Sequence, residues 1–131
     1  MISIIVTTYN RELFLEKCLK SILSQSFADF SVIVVSDGYF KNTEILIESL
    51  NDNRVKLISN IHTGLPSVSR NIGLKNVKTR YVCFCDDDDI WHEDKLIHQI
   101  NFIEKQKFLK FCWCNFHMAY FIIKFFGIFR W

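Results

Sequence analysis

The chain has little of what marks the common phosphate-binding loops. It holds only four glycines and one proline. No Gly-x-Gly-x-x-Gly follows its first strand-like run, which argues against a dinucleotide site, and no Gly-Lys-Ser/Thr loop is present, which argues against an ordinary NTPase. Acidic residues stop at Glu104, although Lys105, Lys107, Lys110, Lys124 and Arg130 follow. The formal net charge is only +2, so no nucleic-acid partner is expected. Met1 leads straight into an apolar run, without a signal peptide. The five cysteines (Cys18, Cys83, Cys85, Cys112, Cys114) are an odd number without a small-scaffold pattern. They read as reduced thiols of a cytosolic protein. The Cys-x-Cys pairs lack the separation and the matching Cys/His spacing of a zinc site. His62, His92, His98 and His117 fall on separate elements, with no shared metal site.

What is present is enough for one domain with a core: 131 residues, half of them apolar. Ile2 to Thr7 is a β-branched run suited to a strand buried on both faces. Asn10 is the expected N-cap of a helix from about Arg11 to Ser24, whose stripe is Phe14, Leu15, Cys18, Leu19, Ile22 and Leu23. Phe30 to Val35 is a second strand. Thr43 to Leu50 is a second helix, capped by Asn42 or Thr43, with Ile45, Leu46 and Leu50 inward. Arg54 to Ile58 is a third strand. Pro66 opens a helix running to about Lys75. Gly73 inside it costs about 1 kcal/mol against alanine, and suggests close approach to a backbone or ligand. Thr79 to Cys85 is a fourth strand, and Asp94 to Lys105 a further helix with Leu96, Ile97, Ile100 and Ile103 inward. Strands alternating with helices predict right-handed βαβ units and a parallel sheet. If the order is 3-2-1-4, ligands bind at the carboxyl ends of the strands, between strands one and four.

Three polar clusters sit at such ends: Thr8-Tyr9-Asn10, Ser36-Asp37-Gly38, and Asp86-Asp87-Asp88-Asp89. Four adjacent carboxylates repel one another. A solvated turn is one resolution, and a bound cation is another; hard oxygen ligands favour Mg²⁺ or Mn²⁺. Convergence with two other strand ends favours the cation, placed to neutralise a departing diphosphate. Asp37 would accept from a base N–H or a ribose hydroxyl, although Asp37-Gly38 also suits a plain turn. Ile90 and Trp91 are expected to seat the acidic turn against the core, and Cys83 and Cys85 to share one core-facing side of their strand.

From about Ser3 to Gln106 the chain resembles the N-terminal, donor-binding half of a family 2 glycosyltransferase with the GT-A fold. The match lies in Ser3-Ile4-Ile5-Val6-Thr7-Thr8-Tyr9-Asn10-Arg11, in Leu15 to Phe27, and in Val34-Val35-Ser36-Asp37-Gly38 with Asn42-Thr43. It continues in Ser69-Arg70-Asn71-Ile72-Gly73 and in Asp86 to Trp91 with Asp94-Lys95-Leu96. The resemblance implies an α/β fold: a partial GT-A, Rossmann-like domain over residues 1–106, with a mostly parallel sheet of about four strands and flanking helices. It places Thr8 and Tyr9 around the nucleobase, Asp37 on the base or ribose, and Arg70 and Asn71 near the donor. Asp86 and Asp88 match the family's D-x-D element. Asp88 is the implied metal ligand through the diphosphate, with Asp86 or Asp87 on the ribose or supporting the metal. The implied cofactor is Mg²⁺ or Mn²⁺. The implied reaction moves a sugar, with inversion, from a UDP-, GDP- or dTDP-linked donor to a hydroxyl of a carbohydrate or lipid-linked acceptor.

The expected setting is surface polysaccharide synthesis, in the cytoplasm or peripherally at the inner face of the membrane. Ser36, Tyr39 and Lys41 depart from the family's usual residues and leave donor specificity open. The family's general base is a later carboxylate, and nothing after Glu104 is acidic, so the catalytic base is unassigned. The chain is therefore expected to be truncated, the alternative being an inactive nucleotide- and metal-binding remnant. A nucleotidyltransferase would want a glycine-rich basic loop after strand one, which Thr8-Tyr9-Asn10-Arg11 does not supply.

Ten of the twenty aromatics lie in residues 108–131. A membrane span needs about 20 mostly apolar residues, and Asn115, His117 and Lys124 interrupt this stretch. An interfacial segment with basic residues fits better and would give association with a membrane surface. The adopted expectation is an out-of-family tail, 107–131, left by truncation or a frameshift.

Overall fold

A computed structural model describes residues 1–105, 111–114 and 126–130. The elements are β1 (Ile2–Thr8), α1 (Glu12–Leu23), β2 (Phe30–Ser36), α2 (Lys41–Leu50), β3 (Val55–Ser59), α3 (Pro66–Lys75), β4 (Tyr81–Asp86) and α4 (Lys95–Lys105), followed by β5 (Phe111–Cys114) and β6 (Phe126–Arg130). The sheet order is β3-β2-β1-β4-β6-β5. The first four strands are parallel, in the 3-2-1-4 order expected. β6 pairs antiparallel with β4, and β5 antiparallel with β6. Two segments of the aromatic tail thus extend the sheet. The readings of that tail otherwise rest on residues 106–110, 115–125 and 131, outside the described residues. Among the described residues no helix is long and apolar enough to cross a membrane.

β1 reads as a continuous apolar run because both its faces are covered. Ile2, Ile4 and Val6 join Leu15, Cys18, Leu19 and Ile22 of α1, with Val32, Val34, Leu96 and Ile103, in the larger core. Ile5 joins Ile33, Val35 and Val82 on the opposite face, where Ile72 and Leu74 of α3 cover them. Asn10 is not the cap of α1. It takes φ 50°, a left-handed conformation that Asn tolerates, and Arg11 is the N-cap residue, with no side-chain capping bond. Each buried Leu or Ile stabilises by about 1.5–3 kcal/mol, against about 1 kcal/mol for a good cap. The buried stripe therefore decides that α1 forms. The stripe is narrower than expected: Phe14 is 52% exposed, with the Arg11 guanidinium over its ring.

α2 begins two residues earlier than expected, with Phe40 as its N-cap residue. Ile45 lies outward, while Thr43 is buried and Leu46, Ile47 and Leu50 meet the core. Gly73 is explained by a side chain rather than by a backbone or ligand. A Cβ there would lie 2.5 Å from Cγ2 of Ile5, so glycine lets α3 sit directly on β1.

Cys83 and Cys85 do share the larger core with Trp91, and Phe84 faces the other way. Burial pushes the Cys85 thiol up, with Cys18 close beside it, so it stays protonated and unreactive. Ile90 is exposed; Trp91 alone seats the acidic turn. Its backbone N–H donates to Ser21 Oγ at 3.0 Å. Gln25 ties the following segment down, donating to the His92 carbonyl at 2.7 Å and accepting from Leu96 N–H at 3.0 Å. The end of α1 thereby fixes the path of the chain leaving the four aspartates.

Candidate donor-binding site

Strand register sets the site. Thr8 of β1 pairs with Ser36 of β2, Ser36 with Ser59 of β3, and Thr7 with Asp86 of β4. Four parallel strands therefore end at one level, and the strand order reverses between β1 and β4, with β2 and β3 added on one side of β1 and β4 on the other, which is where a crevice opens. A cavity of about 450 Å³ lies there. Thr8, Tyr9, Asp37, Arg70, Asp86, Asp87 and Asp88 all line it. Asn71 is exposed on α3 and does not line the cavity. Arg11, His62, Gly64, Pro66 and Ser69 line it as well.

Two arginines lie on the acidic corner and offset part of its charge. Arg70 donates to Asp86 Oδ1 at 2.7 Å. Arg11 reaches Asp87 Oδ1 at 3.1 Å and Asp88 Oδ2 at 3.3 Å. The Thr8 hydroxyl donates to Asp87 Oδ2 at 2.7 Å, and the Asp86 N–H to Asp89 Oδ2 at 3.4 Å. The carboxylates differ in exposure. The Asp87 side chain is 6% exposed, whereas those of Asp86 and Asp88 are 26% and 38% exposed. Burial pushes the Asp87 carboxyl above its ordinary value, aided by Asp88 and Asp86, against the pull of Thr8 and Arg11.

The opposite corner is built from backbone. Asp37 Oδ1 accepts from Thr63 N–H at 2.8 Å and from the Thr63 hydroxyl at 3.1 Å. Its Oδ2 accepts from Gly64 N–H at 2.8 Å and faces His62 Nδ1 at 3.1 Å. Burial works to raise this carboxyl; the Thr63 and Gly64 donors and the His62 charge outweigh it and hold the group below its ordinary value. Gly38 supports the same corner. At φ +152° a Cβ would strike the Phe40 ring at 2.5 Å. Phe40 in turn meets Tyr9 edge-on, with ring centroids 5.4 Å apart.

Two features bear on ligand chemistry. Among the described residues, the Ser69 hydroxyl is buried without a hydrogen-bond partner. Because Ser69 also lines the cavity, a polar ligand group would satisfy it. No group of three or more His, Cys, Asp or Glu side chains among the described residues is arranged to hold a metal ion. Mg²⁺ is commonly held by one or two carboxylates with substrate phosphates completing the shell. Asp86 and Asp88 fit that donor set.

Arg11, His62 and Ser69 did not stand out in the sequence. Arg11 follows Tyr9 by two residues in one strand-end turn, which is a readable signal. His62 and Ser69 come from the loop after β3 and from α3, and only the fold brings them in.

The glycosyl transferase family 2 model matches residues 3–115. The chain belongs to that family. It is 31% identical over 118 residues to the Escherichia coli UDP-Glc:alpha-D-GlcNAc-diphosphoundecaprenol beta-1,3-glucosyltransferase WfgD, covering 90% of this chain and 46% of WfgD. An S. aureus TarS structure in complex with UDP-GlcNAc superposes with TM-score 0.73 at 31% identity, covering 79% of this chain and 31% of that one. The Pyrobaculum calidifontis mannosyltransferase PcManGT, in complex with GDP-Man and Mn²⁺, superposes with TM-score 0.81 over 98% of this chain and 44% of that one. Its identity is 16%, so it shows the shared fold alone. The chain thus spans less than half the length of these proteins.

Proposed function

We propose that this chain forms the donor-binding half of a metal-assisted, inverting glycosyltransferase. The observation that carries the reading is one cavity, at the reversal between β1 and β4, lined by Thr8, Tyr9, Asp37, Arg70 and Asp86 to Asp88. In this reading a nucleotide-sugar donor enters with its base against Tyr9 and Thr8 and near Asp37. Asp86 and Asp88 would hold Mg²⁺ or Mn²⁺ together with the donor diphosphate. The cation supplies charge neutralisation for the departing nucleoside diphosphate.

The protein's own residues do the rest. Arg70 and Arg11 already lie on the aspartates, and their guanidinium groups would turn to phosphate oxygens if Asp86 and Asp88 held a cation. Asp87, buried, holds the Thr8 hydroxyl in place. The cavity's four carboxylates are thereby all occupied in binding, so we assign the general base to none of them.

The donor is UDP-, GDP- or dTDP-linked, and the acceptor is a carbohydrate or lipid-linked hydroxyl in surface polysaccharide synthesis. WfgD, by its name, acts on a diphosphoundecaprenol-linked sugar. We place the protein in the cytoplasm, at the inner face of the membrane when such an acceptor is used.

Calorimetric titration with UDP, GDP and dTDP, with and without Mn²⁺, tests the reading. At least one is expected to bind more tightly with the metal; no metal-dependent affinity for any of them would sink it. Nucleotide release from the matching nucleotide sugar, with and without acceptor, then measures whether this chain alone completes the transfer.

A further inference from the structure

The loop after β3 places His62 where the reading above, on which this inference rests, seats the nucleobase. The imidazole stacks on the Tyr9 ring, with centroids 4.3 Å apart and planes 23° from parallel. Its Nδ1 lies 3.0 Å from the Asp37 carbonyl oxygen and 3.1 Å from Asp37 Oδ2. Both neighbours are acceptors, so Nδ1 carries the proton. A carboxylate offers about four lone-pair directions. Those of Asp37 are taken by Thr63 N–H, the Thr63 hydroxyl, Gly64 N–H and His62. Of these four donors, His62 alone is a planar heteroaromatic ring with a ring N–H, lying on an aromatic face. Those are the recognition features of a nucleobase. A base cannot share that face of Tyr9 with the imidazole, because stacked rings lie within van der Waals contact.

We propose that His62 fills the nucleobase seat, and that a base with a ring N–H enters by taking over both contacts. Ring replaces ring on Tyr9, and a base N–H replaces Nδ1–H at Asp37 Oδ2. The Thr63 and Gly64 donors remain, so the loop stays anchored while the His62 side chain swings out. That side chain is half exposed, which leaves it room to do so. The exchange keeps Asp37 and Tyr9 ordered without a ligand, and it lowers donor affinity by the cost of expelling the imidazole.

The test compares His62→Ala with the wild type by titrating UDP, GDP and dTDP in Mg²⁺. Removing the competing ring is expected to tighten the best-bound of these by about three- to tenfold. Equal or weaker binding overturns the gate. The wild-type protein gives a second readout. The His62 ring protons, shielded over Tyr9, are expected to move downfield in the NMR spectrum on nucleotide saturation. A spectrum in which they stay shielded at saturation also overturns the gate. If neither wild type nor variant binds any of the three nucleotides, the donor-site reading itself fails. If the wild type binds and His62→Ala is not tighter, only the gate fails.

Discussion

The two acidic corners of the cavity hold their charge in opposite ways. Asp37 is surrounded by donors of one short loop, two of them backbone N–H groups whose positions the chain fixes. Asp86 to Asp88 are held by Arg70, Arg11 and the Thr8 hydroxyl, all side chains from other elements. A backbone donor cannot leave without rebuilding the loop, whereas a half-exposed guanidinium swings away at little cost. One corner is therefore suited to position a ligand, and the other to exchange counter-ions for a metal and a diphosphate.

Breaking the fixed corner has the largest expected effect. Asp37→Asn is expected to cost about 2–3 kcal/mol in urea denaturation, because hydrogen bonds to a charged acceptor are the strong ones. Next is Thr8→Val, expected to cost about 1–2 kcal/mol by leaving the buried Asp87 carboxylate short of a donor. Arg11→Ala comes third. Arg11 is half exposed, so solvent screens its pairs, and a loss of about 0.5–1 kcal/mol that shrinks with added salt is expected. A larger loss for Arg11→Ala than for Asp37→Asn would reverse the contrast.

The pH slopes sharpen the same contrast. The Asp37 carboxyl is held below its ordinary value near 3.8. Its contribution is fully present above that value and is lost as pH falls through the lower folded value. The Asp87 carboxyl is raised above the same ordinary value. The folded state then binds its proton first, so this group adds stability as pH falls toward 3.8. Urea denaturation from pH 6 to 3 should show Asp87→Asn removing the gain just above 3.8, and Asp37→Asn removing part of the loss below it. The same slope in both variants would contradict the assignment.

Much of this was legible in the sequence, for identifiable reasons. The parallel sheet followed from β-branched runs alternating with amphipathic helices; the 3-2-1-4 order entered only as a condition, and the polar clusters at the strand ends pointed to the crevice that this order creates. The Asp86 to Asp89 run announced itself because nothing in packing asks for it. What repairs its repulsion was not legible. Arg11 and Arg70 lie 75 and 16 residues from Asp86 along the chain, and only the register of β1 with β4 and the seating of α3 bring them there. Asn10 misled because its side chain suits a cap, while its left-handed backbone serves the turn instead. Ile45 and Phe14 fitted the helical spacing but lay at the stripe's edge, where solvent won. Gly73 was readable as a close approach, yet its partner, the Ile5 side chain, lies across the sheet interface.

Under the proposed function the arginine-held corner exchanges its counter-ions for a divalent cation and a diphosphate. The most direct test of this exchange is Asp88→Ala, titrated with the best-bound nucleoside diphosphate in Mn²⁺ and in chelator. Asp88 is partly exposed, so the variant is expected to fold, and its metal-free affinity should match the wild type. The gain on adding Mn²⁺, expected to be about tenfold or more in the wild type, should vanish. An undiminished Mn²⁺-dependent gain in Asp88→Ala would contradict the account.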